Sequence, residues 1–573
     1  MVRLLLQSLP VLLALAGLQD HATNALSIPG PSRDYTSSPR AAEIAKMRTQ
    51  IVNGPRTLTI DGVEYPLYYG PLAPPASLTE TMRLNESETL TKFATRTPQF
   101  LGSLAMNLSS SLTTIPSYTA LYTQAEKMIE WPISTDNSDK TFGEQRTTIK
   151  SFSLRGATAK ELTTTKLSLG DDDLNDICGY NAKALASKNL VFVEDYGTLG
   201  KYHDPTRPEK YIPSVQGFFC VTKDEGTLMP IEIRLLDTKL TYTPVDSADE
   251  WALAKMALEA ASVAYHQMQH MAETHAVTIP LRAEAMRTMS EDHPVRAMLQ
   301  RHTTTDFGLE LQAARQLLNR STLLDQVIGW GAIGATQFLW DQTQNGLSMK
   351  NKAFNADVKQ RGLDRIKSHK YVKYATMYHK AISTFVGAYV DVFYENDSDL
   401  QNDLELQNWA NASSAIPHVR DFPSAFKSTE QLSDVLTHLV FSSTVRHHGM
   451  NGQATWHGTS APYSPAALWK PLPKAKLQKG EKLDLLAYTA PTKVLPVALT
   501  VASMFYRQVP ATENILSAYA SPQFSDDEDL VPAIKAFTKA LEAIEKTITK
   551  DEDDVEWPYL LLRPSQLPYY TWI

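Results

Sequence analysis

Trp251 to His302 reads WALAKMALEAASVAYHQMQHMAETHAVTIPLRAEAMRTMSEDHPVRAMLQRH, and five of the chain's fourteen histidines fall inside it, at 266, 270, 275, 293 and 302. Ala, Leu, Met, Lys, Glu and Gln dominate from Trp251 to Met271 with neither Gly nor Pro, which predicts one long helix. Nearly every turn of it is apolar, so the helix belongs in a core. Histidines there need partners, because each ring carries a donor and an acceptor away from water. A metal ion is one such partner, taking a lone pair while the other ring nitrogen donates elsewhere. Two pairs compete. His266 and His270 are four apart and share one face of an α-helix, the spacing of a zinc protease, but HQMQH lacks the Glu that would follow the first His as general base. His270 and His275 are five apart, about 140° round an ordinary helix, and they converge only where a π-bulge widens the turn. The alternative is a set of buried, hydrogen-bonded histidines.

Outward from this stretch, 573 residues at 43% hydrophobic suffice for a large core, and length alone suggests more than one domain. A net charge of −8 with no basic stripe argues against nucleic acid. Met1 to Ala25 has one positive charge at Arg3, a leucine-rich run from Leu4 to Leu18 and then small polar residues, the pattern of a signal peptide cut after Ala25 or Ala16. No other stretch approaches 18 uninterrupted apolar residues, so no integral membrane segment is expected and the mature chain reads as secreted. Sequons at Asn85, Asn107, Asn396 and Asn411 agree with that compartment; Asn319 also fits the pattern but lies in an expected helix. Cys178 and Cys220 are the only cysteines, able to form one bridge and poor candidates for nucleophiles.

Residues 26–55 read as an exposed leader that becomes helical near Ala41 to Gln50, and 56–150 as mixed helices and turns without a run of alternating strands. Strands are expected at Asn189 to Glu194, Phe218 to Thr222 and Leu228 to Leu235, with the turn Lys223-Asp224-Glu225-Gly226 between the last two. Amphipathic helices follow at Leu309 to Asn319, Ile366 to Glu395, Ser428 to Ser443 and Val497 to Arg507, with polar loops over 396–427.

Two more constellations carry chemistry. His447 and Asn451, in VRHHGMNGQ, are four apart on one helix face and able to meet one ion, although Asn and Gly together also make an ordinary helix end. The C-terminus, PYLLLRPSQLPYYTWI, is apolar to its last residue, Ile573. Burying that end buries its carboxylate, which then needs a cation.

Together these segments resemble the lipoxygenase family. The matching residues are Trp251, Ala254 and Lys255, then His266 with Gln267, then His270 and His275, then His293 with Pro294, then His302; Asp195-Tyr196 and Gly226-Thr227-Leu228 through Pro230 to Ile231; His447, Asn451, Gly452 and Gln453; and the terminal Ile573. The resemblance implies a mainly α fold, a large helical catalytic domain over 56–573 with a small β-sheet subregion and no N-terminal β-barrel. It implies His270, His275, His447, Asn451 and the carboxylate of Ile573 as metal ligands, with His266, His293 and His302 structural and Gln267 and Gln453 beside the ligands. Three nitrogens, an amide oxygen and one carboxylate suit iron or manganese better than structural zinc. Secretion and the missing barrel are similar to the fungal manganese lipoxygenases, so one manganese per chain is expected, with iron as the alternative.

The implied activity is dioxygenation of polyunsaturated fatty acids such as linoleic and α-linolenic acid. A trivalent metal hydroxide takes a hydrogen atom from the bis-allylic carbon, and O2 adds to give a hydroperoxide. Aligning Ala314-Arg315 with the family's Ala-Arg pair puts Ser321 or Thr322 where the family steers oxygen, and Arg507 is a candidate partner for the fatty-acid carboxylate. A monomer is expected. Two other readings remain at this stage: a secreted zinc hydrolase on His266 and His270, and a metal-free pseudoenzyme or binding protein.

Overall fold

The computed structural model describes residues 25–29, 38–51, 57–60, 63–66, 112–129, 136–164, 166–313, 317–457, 462–505 and 509–572. The expected signal peptide to residue 24, Asn85, Asn107, Ala314, Arg315, Arg507 and Ile573 lie outside these, as does the side chain of Gln453. The histidine helix runs from Ala248 to His270, opened by Ser247, whose hydroxyl accepts the Glu250 N–H and donates to the Glu250 carboxylate. It does not end where the pattern weakens. A π-helical turn over Met271–His275 carries it on, and an α-helix from Ala276 to Thr288 completes it. Pro280 sits inside that last piece and leaves the Ala276 carbonyl without its N–H; the His418 ring supplies the missing donor through Nε2.

The helix is buried all round because two layers cover it. On one side lies a five-stranded antiparallel sheet in chain order, Arg155–Gly156, Val191–Tyr196, Val215–Val221, Leu228–Leu235 and Leu240–Tyr242. Alternation along the strands gives it two dry faces. Phe192, Phe219 and Ile233 join the main core with the helix, while Val191, Val193, Phe218, Cys220 and Ile231 form a satellite core with Leu174, Cys178 and Leu185. Gly217 permits the close approach of sheet and helix, since a Cβ there would stand 2.4 Å from Leu258 Cδ2. The register shifts between Phe218 and Phe219, opposite Pro230, which has no N–H to give the ladder. The expected turn forms with Gly226 at φ +66. Cys178 and Cys220 are bridged, which ties the helix Asp171–Cys178 to the middle strand.

Between sheet and helix lies a closed set of charges. Arg146 pairs with Glu194 and Glu259, and Lys150 with Glu259 and the Ser464 hydroxyl. Burial alone would raise the Glu259 carboxyl, but Arg146 and Lys150 hold it down to about 2.

On the other side the helix Thr429–Phe441 continues through a second π-helical turn, Ser442–Arg446, into the helix His447–His457. The long helices Lys370–Phe393 and Val531–Asp551 close the outside, with Phe385 stacked on Phe537. The C-terminal segment is threaded beneath them, where Tyr378 donates to the Leu562 carbonyl.

Two expectations are corrected and a third is shifted in its bounds. The leader over 26–55 is docked, not exposed, in its described part: Leu26, Ile44, Met47 and Ile51 are buried, and the helix Pro39–Gln50 is held by Arg40 to Glu405 and Glu43 to Arg296. The polar stretch 396–427 holds two helices, Asp397–Asn402 and Leu404–Ser414, because Asn396 and Asp403 act as N-caps. The helix expected at Leu309 to Asn319 opens earlier, as the α-helix Asp306–Gln312, and the Leu318 N–H still donates to the Ala313 carbonyl, with Asn319 in the turn beyond. Among the described residues no sheet closes into a barrel, and no helix is long and apolar enough to cross a membrane.

Candidate metal centre

His270 closes the α-helical part of its helix and His275 closes the π-turn. The Ala276 N–H donates to the Met271 carbonyl, a step of five residues, and this widening brings two rings five apart onto one side. The second π-turn repeats the device, with the His447 N–H donating to the Ser442 carbonyl. Each turn contains a threonine whose hydroxyl donates to the carbonyl four residues back, Thr274 to His270 and Thr444 to Val440. The two turns face each other. His270, His275 and His447 are all buried and offer one ligand atom each, all within 4.8 Å of one another. The Nε2 atoms of His275 and His447 are 2.9 Å apart.

The nitrogens pointing away from this focus have their own neighbours. His270 Nδ1 donates to the Gln267 carbonyl, which leaves Nε2 with its lone pair toward the focus. His275 Nδ1 stands 3.7 Å from Asp306 Oδ1. His447 Nδ1 is 3.3 Å from His448 Nδ1, which is itself 2.8 Å from the Thr444 carbonyl. Asn451 lies one turn beyond His447, and its side-chain Nδ2 is 3.1 Å from His270 Nε2. An amide flip exchanges its oxygen for its nitrogen at the same place. Lone pairs converging in a dry pocket repel unless a ring proton or a cation stands among them, and a nitrogen-rich set with one amide fits a divalent transition ion.

The C-terminus is led toward this focus. His302 Nδ1 donates to the Tyr569 carbonyl and its own carbonyl accepts the Thr571 N–H, while Thr305 donates to the Thr571 carbonyl. The Thr571 hydroxyl donates to Asp306, the carboxylate beside His275. Thr571 and Trp572 are buried.

The remaining histidines of the opening stretch do other work. His266 donates from Nδ1 to the Ser262 carbonyl and accepts the Phe152 N–H at Nε2, so burial pushes it down to about 3 and both its nitrogens are used. A zinc site on His266 and His270 is thereby overturned, and the nearby Glu273, a carboxylate that such a site would need as its base, is paired with Arg446 and Lys352. His302 accepts from the Tyr519 hydroxyl and burial lowers it to about 4. His293 caps its own helix through the Val295 N–H and pairs with Asp403.

Gln267 reaches His270 through its main-chain carbonyl. Ser321 and Thr322 stand in a turn: Ser321 is exposed with φ +61 and its N–H donates to Asp325, and Thr322 donates to the Leu317 carbonyl. No described hydrogen bond joins either to the three histidines. Asp306 and the Glu273–Arg446 pair went unread as parts of the centre. Asp306 follows three threonines after His302 and has no pattern of its own, whereas Glu273 and Arg446 are a buried acid and base lying within two residues of two of the clustered histidines.

Fold and focus define a class: a helical protein with a buried, nitrogen-rich site of the non-haem metal type, built on two π-kinked helices. A family model described as Lipoxygenase matches residues 123–570, and the chain belongs to the lipoxygenase family. It is 28% identical to the "Manganese lipoxygenase" of Nakataea oryzae over 485 residues, 80% of this chain and 76% of that protein. It is 30% identical to that of Colletotrichum gloeosporioides over 332 residues, 56% of this chain and 54% of the relative. With the "Allene oxide synthase-lipoxygenase protein" of Plexaura homomalla it shares 28% over 379 residues, 63% of this chain but 35% of that protein. A solved "Manganese Lipoxygenase" structure superposes with a TM-score of 0.83 at 22% identity, over 96% of this chain and 100% of that chain.

Proposed function

We propose that this chain is a secreted, monomeric manganese lipoxygenase that inserts O2 into polyunsaturated fatty acids, linoleic and α-linolenic acid among them, to give hydroperoxides. The observation that carries this reading is the convergence of His270, His275 and His447 from two π-turns in a member of the lipoxygenase family. Asn451 and the terminal carboxylate of Ile573 complete the ligand set. Two residues reach at most about 7 Å, and the anchoring of Thr571 on Asp306 supports a terminus that ends at the histidines. When bound, the redox-active ion supplies the one-electron oxidation that removes a hydrogen atom from the bis-allylic carbon.

The protein's own residues hold and orient. The Gln267 carbonyl fixes the ring of His270, and Asp306 faces the outward nitrogen of His275. The packed helices exclude water, so a carbon radical meets O2 in an apolar setting. Gln453 is assigned to the same supporting role, and Arg507 to the fatty-acid carboxylate. Manganese is preferred to iron because the fungal manganese enzymes recur among the relatives. The leader, the exposed Asn396 and Asn411 sequons and the Cys178–Cys220 bridge support an oxidising, extracellular setting.

The test is elemental analysis of the purified protein beside the ultraviolet absorbance of conjugated diene formed from linoleic acid in air. About one manganese per chain with diene formation is the expected result. Iron in its place changes the ion alone, and zinc without diene overturns the proposal.

A further inference from the structure

Glu273 and Arg446 belong to neither the ligand set nor the core packing that surrounds it. Glu273 lies in the first π-turn, two residues before His275, and Arg446 ends the second, directly before His447. Their side chains meet across the gap between the turns. One carboxylate oxygen of Glu273 accepts from both Nε, at 3.1 Å, and Nη2 of Arg446. The other accepts from Lys352 and from Gln269 Nε2 at 2.9 Å. Arg446 Nη1 stands 3.6 Å from Asp357, which is held in turn by Arg361 at 2.7 Å. Arg361 donates to the Ser151 and Leu154 carbonyls, so the chain of charges ends on the main chain. The Glu273 and Arg446 side chains are 3% and 4% exposed.

A π-turn carries one residue more than the α-helix around it and occurs rarely because that insertion is unfavourable. Left alone, each turn would drift toward α geometry and rotate its histidine away from the focus. One rigid guanidinium fork joining both turns fixes their spacing, and no pair of flexible surface charges does that.

We infer that the buried Glu273–Arg446 pair is a positioning clamp that sets the distance between His275 and His447 and thereby tunes how tightly the metal is held. The inference rests on the proposed metal site. Outer partners of metal ligands typically change affinity 10–100-fold, and a clamp on two ligands at once belongs in that range.

The experiment compares wild type with Glu273→Gln, Arg446→Met, Arg446→Lys and the apolar pair Glu273→Leu/Arg446→Met. It reads the Mn(II) dissociation constant by chelator competition, the Mn(II) electron paramagnetic resonance line shape, and the unfolding midpoint without metal. All binding is measured well below each midpoint. Glu273→Gln and Arg446→Met are expected to loosen manganese about 10–100-fold and to alter the line shape. Arg446→Lys keeps the charge but not the fork, and loosens it less. The apolar pair separates positioning from bulk stability, since replacing a buried ion pair by packed side chains tends to restore stability. Its midpoint is expected to recover while manganese remains loose. Lys352→Met, which removes only the half-buried third partner, serves where a core variant does not fold; weaker manganese binding than wild type is its expected result, and unchanged binding counts against the clamp. Manganese bound as tightly as in wild type by the single variants, or restored by the apolar pair together with the midpoint, overturns the inference. Wild type that takes up no divalent ion overturns the site assignment itself, and the clamp with it.

Discussion

At the scale of the residue, the histidines divide by what their second nitrogen does. His266, His302 and His369 are buried neutral, with values pushed by burial down to about 3, about 4 and about 3. In the unfolded chain each returns to about 6.5. The folded values are depressed, so the unfolded chain takes up protons first as pH falls. Their stabilisation is fully present above pH 6.5 and is lost between 6.5 and the folded values. Each costs about 1.4 kcal/mol per pH unit across that window. Unfolding free energies from urea at pH 7 and pH 5 are expected to differ strongly, and His302→Gln, which cannot titrate, is expected to reduce that difference by about 2 kcal/mol. An unchanged difference would mean that His302 is not neutral in the fold.

This division was only partly legible in the sequence. The five-residue step from His270 to His275 announces a widened turn, because no α-helix brings both rings to one side. His447 and Asn451 read correctly as one face. Asp306 gave no signal, since a single Asp after threonines looks like any helix start and its meaning comes from Thr571, 265 residues away.

At the scale of the element, the two histidine-bearing helices are irregular at the points where they meet. The second π-turn was hidden because it lies before His447 and not between His447 and Asn451, so the spacing of that pair does not cross it. Composition misled over 396–427 for a related reason: Asn396 and Asp403 look like loop residues but are the caps that begin helices. Pro280 is the remaining irregularity, and its repair by His418 is testable. His418→Leu strands a buried carbonyl at Ala276 and is expected to cost about 1–3 kcal/mol by chemical unfolding. Pro280→Ala restores an N–H at the right place, so the double variant is expected to recover most of that loss. A double variant no better than His418→Leu alone would show that the ring serves something other than the Ala276 carbonyl.

At the scale of the whole molecule, the sheet separates two dry regions that differ in purpose. The main core surrounds the histidines, whereas the satellite core under Leu174 and Leu185 lies on the opposite face and holds the Cys178–Cys220 bridge. The bridge closes a loop with a sequence separation of 42. Chain-entropy reasoning assigns such a loop about 4 kcal/mol. That stabilisation acts on the sheet's outer side, with the sheet between it and the two π-turns. A Cys178→Ser/Cys220→Ser variant is therefore expected to unfold at lower denaturant concentration while keeping its metal content and metal affinity at working temperature. Loss of metal in step with the bridge would mean that the two cores unfold as one unit and that the sheet transmits strain to His270. Retention of metal would make the bridge a stabiliser of the sheet's outer side, separate from the residues that build the centre.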